Sequence, residues 1–231
     1  MATGSSRIPK WLGIIIGVVF GLFIVIGIIG NVIRGGAHDP LADAMSAELD
    51  RQGMTQALHD RVAKTADTTA ARHLGADFAR KGIARLPEDL LAEREGLLLH
   101  LDSIAGDTLC AGHFMGTLTP AQLHGFVGLL DSTQLARWAH ISVSAMKAEL
   151  EATEPVAPLG PNDLAETLQS ISAQLRVADQ ERFKEIFANL PVATIADQCW
   201  ASRTTTAAAL GMRDPEREVV LRKMAIVEAG L

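Results

Sequence analysis

Two apolar patterns divide the chain. From Trp11 to Ile33 the residues are uncharged and, apart from Asn31, apolar or glycine on every side. As a helix that run is about 35 Å long, enough to cross a hydrocarbon core of roughly 30 Å with some tilt. Beyond Pro40 apolar positions recur instead at steps of three and four, the period of helices with one face buried. Residues 41–64 show it at Leu41, Ala44, Met45, Leu49, Met54, Leu58 and Val62, and a second, alanine-rich segment runs from about 67 to 82.

Helix starts are marked by local chemistry. Pro87 opens a helix with Glu88 and Asp89 in its first turn and Leu90, Leu91, Leu97, Leu98, Leu101 and Ala105 on its apolar face. Asp107 is expected to cap a short helix carrying Cys110. Thr119-Pro120-Ala121-Gln122 is a capping box with proline at the first helical position. Asp131-Ser132-Thr133-Gln134 repeats that logic before Leu135, Trp138, Ile141, Ala145 and Ala148. Pro155, Pro158 and Pro161 exclude helix and set a loop over 155–162. Asp163 with Glu166 then starts a helix through Leu164, Leu168, Ile171 and Leu175. Phe183, Ile186, Phe187 and Leu190 form the next, stopped by Pro191. A helix over about 194–210 carries Cys199 and Trp200, and Asp214-Pro215 precedes a last one with Val220, Met224 and Val227 facing in. No stretch alternates as a strand would. The pattern predicts an all-α protein: a basic tail at 1–10, a transmembrane helix at 11–33, an exit linker at 34–40, then helices at 41–154 and 163–231. These pack as one soluble domain of about eight to ten helices.

Flanking charge orients the span. Arg7, Lys10 and the α-amino group stand on one side, Arg34 and Arg51 on the other, a modest preference for a cytoplasmic tail and an extracytoplasmic domain. The apolar run exceeds the 7–15 residues or so of a cleaved signal's core, so it reads as an uncleaved signal anchor. Gly13, Gly17 and Gly21 repeat at steps of four and share one helix face, where another backbone can approach closely. The expected partners are the lipid bilayer and, through that face, a second copy or another protein's span.

Composition changes this picture in two places. The formal net charge is −6, and without a lysine or arginine cluster no nucleic acid is expected as a partner. Cys110 and Cys199 are the only cysteines. In an oxidising compartment they are expected to join in a disulfide.

Candidate chemistry is sparse. Ser144-Ala145-Met146-Lys147 matches the S-x-x-K spacing of penicillin-recognising serine enzymes, but no S-x-N or K-T-G follows; Ser144 is expected as a polar residue on an exposed face. Cys110-Ala111-Gly112-His113 is C-x-x-H, with His124 and His140 downstream, but lacks the second pair of a zinc site; His113 is expected at the surface or half-buried. Asp89 with Glu93 and Glu149 with Glu151 read as solvated faces. No catalytic residue, metal ligand or cofactor is therefore assigned. The function expected is a membrane-anchored helical interaction or assembly module on the extracytoplasmic side (periplasmic in a Gram-negative cell). The alternative is an extracytoplasmic hydrolase acting on the cell envelope.

Overall fold

The computed structural model describes residues 38–64 and 68–231. The tail, the expected span and its glycines Gly13, Gly17 and Gly21 lie outside these residues. Within them every element is helical and no strand occurs. No helix among the described residues is long and apolar enough to cross a membrane.

The helices are α1 (Pro40–Arg51), α2 (Met54–Ala63), α3 (Thr68–Gly82), α4 (Glu88–Ile104), α5 (Gly106–Phe114), α6 (Pro120–Val127), α7 (Ser132–Glu151), α8 (Asp163–Ala173), α9 (Val177–Ala188), α10 (Ile195–Gly211) and α11 (Glu216–Ala229). Short 3₁₀ turns follow α3 at Ile83–Arg85 and α9 at Leu190–Val192. The eight to ten helices expected become eleven. One reason is Gly53. Residues 41–64 keep helical spacing throughout, but Gly53 has φ of 68°, a left-handed conformation that favours glycine, and it separates α1 from α2.

Two long helices organise the rest. α7 is flanked by α1 and α3, and α10 by α4 and α5; α4 touches both. α7 begins as its sequence dictates, with Asp131 accepting from the Gln134 amide and the Gln134 side chain reaching back to Asp131. Its apolar positions at Ala139, Ile141, Val143 and Ala145 are almost fully buried. α3 lies so close to α7 that a side chain at Gly82 would overlap the Ala145 carbonyl. The Thr119 capping box starts α6. Asp107 is not a cap: it falls in the first turn of α5 and pairs with Arg203, 3.2 Å away.

α7 ends at Glu151 and α8 starts at Asp163, so the proline-rich loop falls between them. One contiguous core draws on both sides of that loop, with Leu101, Phe126 and Ile141 from before it and Ile171, Phe183 and Leu221 from after it. α8 and α11 pack against each other and α10. They wall a cavity whose other side is α4 and α5.

Candidate functional site: an apolar cavity with an acidic end

The site begins at the cysteines. Cys110 on α5 and Cys199 on α10 are fully buried, with sulfurs 2.02 Å apart and Cα atoms 5.2 Å apart. This is disulfide geometry. It lays one face of α5 against one face of α10.

Three residues on from each cysteine, nearly one turn, stand His113 and Ser202. Both converge on Asp102 of α4, which is 1% exposed. His113 Nδ1 lies 2.9 Å from Asp102 Oδ1, and Ser202 Oγ donates to Oδ2 at 2.6 Å. Arg203 Nε donates to the Asp102 carbonyl at 2.9 Å. His113 is 6% exposed, which corrects the expectation of a surface or half-buried histidine. The bridge draws its helix face onto α10, and the Phe126 ring stacks on the imidazole at 4.8 Å. In a nucleophilic triad the imidazole stands between carboxylate and hydroxyl. Here the carboxylate stands between the other two, so the hydroxyl proton is held by Asp102. The group braces three helices.

A second buried polar group adjoins it. Arg94 of α4 is 3% exposed. It donates to Glu95 at 2.8 Å and to Glu228 of α11, and it lies 5.9 Å from the centroid of the Trp138 ring. One guanidinium thus serves two carboxylates, with a third, Asp102, nearby. Burial pushes the Glu95 carboxyl up to about 7; Arg94 opposes the shift, while Glu228 and Asp102 add to it.

Glu95, Glu228, His113 and Ser202 form one end of a cavity of about 110 Å³. Its walls are apolar, with Leu98, Phe114, Leu168, Ile171, Phe187 and Met224. Thr205 also lines it. That residue is 7% exposed, and its Oγ1 meets no hydrogen-bond partner among the described residues. A pocket that is mostly apolar with a few converging polar groups is the usual form of a small-molecule site.

The other sequence candidates lie elsewhere. Ser144 is half-buried, not exposed as expected, because it faces α1 and accepts from Gln52 Nε2 at 3.1 Å. Lys147 lies 4.0 Å from Glu151, leaning away from the serine. Beside Ser144, Arg51 holds Glu48 in two bonds of 2.6 and 2.5 Å, and His140 Nδ1 lies 2.8 Å from Glu48 Oε1. The Arg51 bonds bring the Glu48 carboxyl down to about 2 against the opposing effect of burial, with Gln52 and His140 assisting. His124 pairs with Asp39 at 2.9 Å, so the three histidines considered for zinc have separate carboxylate partners. No group of three His, Cys, Asp or Glu side chains among the described residues is placed to hold a metal ion. Glu93 pairs with Arg137 and Glu149 with Arg85.

Sequence reasoning missed Asp102, Glu95, Glu228, Ser202 and Thr205. A signal for two of them was present: Glu95 and Asp102 fall at helical steps from Leu91 and Leu98, acids set into the leucine stripe of α4. No protein family matches this chain, and no match is found among curated proteins or solved structures.

Proposed function

We propose that this chain is a membrane-tethered helical binding module whose outer domain, on the extracytoplasmic side, takes a small and largely apolar ligand into the cavity between α4, α5, α8, α10 and α11. The cavity carries the reading: apolar walls close on a polar end whose groups are buried and bonded in place. The bonding order at Asp102 supports holding a ligand over hydrolysing one. Tethering and orientation rest on the run from Trp11 to Ile33 and on Arg7 and Lys10. The cysteine pair at disulfide distance accords with an oxidising compartment. The glycine face at Gly13, Gly17 and Gly21 adds a route to pairing in the bilayer with a second copy or a partner's helix.

Two measurements test this. Native mass spectrometry of the full chain, gently extracted from membranes, should show a small-molecule adduct that disappears when Met224→Trp fills the cavity. An adduct that survives this change lies elsewhere and contradicts the reading. A reporter active only outside the cytoplasm, fused after Leu231, should be active; activity of a cytoplasm-dependent reporter alone reverses the orientation.

A further inference from the structure

We infer that the cavity ligand is cationic: an ammonium group on a compact apolar or aromatic body, with its charge at the Glu95–Glu228 end. This inference rests on the cavity being a ligand site, and it adds the class of ligand.

Charge placement argues first. Glu95 and Glu228 line the cavity, whereas Arg94 is not among the lining residues. The guanidinium therefore stands behind the carboxylates and donates to Oε1 of each. Asp102 adds a third acid close behind Glu95. An anionic head entering here meets the Glu95 and Glu228 carboxylates, and the imidazole beside them, His113, is paired with Asp102. An ammonium meets acceptors, and charge-assisted bonds of that kind are stronger than neutral ones.

Thr205 is the independent observation. Thr205 lines the cavity, and its hydroxyl is buried and lacks a partner among the described residues. Leaving a buried hydroxyl unbonded is unfavourable, and a ligand N–H that reaches its oxygen satisfies it. Burial raises the Glu95 carboxyl to about 7, and an ammonium beside it favours the charged form.

Size sets the scale of the ligand. A cavity of about 110 Å³ is smaller than the engineered one of roughly 150 Å³ that holds benzene. This one has an opening, so a single ring or short chain with a one-carbon arm to the nitrogen suits it. Rings pack well on Phe114 and Phe187, which meet edge to face at 6.1 Å.

The test uses the full chain in zwitterionic lipid nanodiscs, with methyl-labelled methionine and threonine. The probes are benzylamine, benzyl alcohol and benzoate, read at the Met224 and Thr205 methyl signals so that partition into lipid does not register. Benzylamine should shift both signals at about tenfold lower concentration than benzyl alcohol, and benzoate should shift neither. Glu95→Gln should shrink the amine's advantage to about threefold or less. The three-probe series on the unaltered chain decides the matter even if that variant fails to fold. An alcohol equal to the amine, or binding of benzoate, overturns the cationic class and leaves the cavity reading standing. No shift with any probe overturns both.

Discussion

Glu48 and Glu95 are both glutamates on helices, both next to an arginine, and they are displaced in opposite directions. Glu48 sits at the α1–α7 contact with its carboxyl at about 2; Glu95 sits under the cavity with its carboxyl at about 7. The difference lies in how many acids share each cation and in where the water is. Glu48 has Arg51 to itself, held by both oxygens, with Gln52 and His140 adding bonds. The Arg51 side chain is 61% exposed and that of Arg94 4%, while the two glutamate side chains are equally covered, at 10% each. Glu95 shares a buried Arg94 with Glu228 and has Asp102 beside it. A carboxylate that no other acid competes with for its cation follows its preference for charge, whereas a crowded one on a buried cation sets ionisation against desolvation. The first region is built to hold two helices together. The second gathers charge at one end of an apolar cavity.

The sharpest way to break this contrast is to remove each arginine. Arg94→Met strands the buried Glu95 and the half-buried Glu228, and breaking a buried pair in this way costs about 3–5 kcal/mol. Arg51→Met leaves Glu48 with Gln52 and His140 as partners and should cost less. Denaturant unfolding of the two variants checks this, and equal losses would mean that the buried group is not as isolated from solvent as its exposure implies.

Next in size is the cysteine pair, which belongs to the second region alone. Replacing Cys110 and Cys199 together with alanine should destabilise the helical domain by about 2–4 kcal/mol. It should also loosen α5 against α10, so the His113 ring signals should broaden or shift while those of His140 hold. Two thiols open to alkylation in protein trapped directly in intact cells would show that the pair is not joined there.

The contrast also explains what could be read from the chain. Capping boxes at Thr119 and Asp131 and the proline-rich loop were legible because each depends on neighbours within a few residues. The α1–α2 break at Gly53 was hidden by apolar positions that keep their period across it. The site was hardly legible. Cys110 with His113 was visible as a four-residue pattern, but its partner Asp102 comes from α4, and Ser202 lies 100 positions beyond Asp102. Helix pairing, which short-range pattern does not encode, brings them together. Glu48, Gln52, His140 and Ser144 meet across α1 and α7 for the same reason.

pH should separate the two glutamates by sign. Glu95 is raised in the folded state, so its contribution is fully present below its unfolded value near 4.5 and is lost as pH rises through about 7. The scale is at most about 3 kcal/mol. Glu48 is lowered, so its contribution is present above about 4.5 and is lost as pH falls through about 2. Unfolding free energy measured from pH 3 to 8 should therefore favour Glu95→Gln over the unaltered chain increasingly toward pH 8. Glu48→Gln should be the weaker protein at pH 6 and converge on it in acid. The same sign for both variants would remove the distinction drawn here.

The smallest effect expected compares two serines. Ser202 donates to a carboxylate that is 1% exposed; Ser144 accepts from Gln52 on a half-buried face. Ser202→Ala leaves Asp102 Oδ2 without its hydroxyl donor, where water has little access, and an unmet buried acceptor costs about 1–3 kcal/mol. The lost donor also leaves more negative charge beside Glu95, so the apparent ionisation of that carboxyl should move further upward. Ser144→Ala removes an acceptor that water can replace and should fall within about 0.5 kcal/mol of the parent. Unfolding midpoints give the stabilities, and the carboxyl carbon shift of labelled Glu95 gives the ionisation. A serine at position 202 that proves as dispensable as the one at 144, with the Glu95 titration unmoved, would show that the Asp102 group is not electrically joined to the acidic end of the cavity.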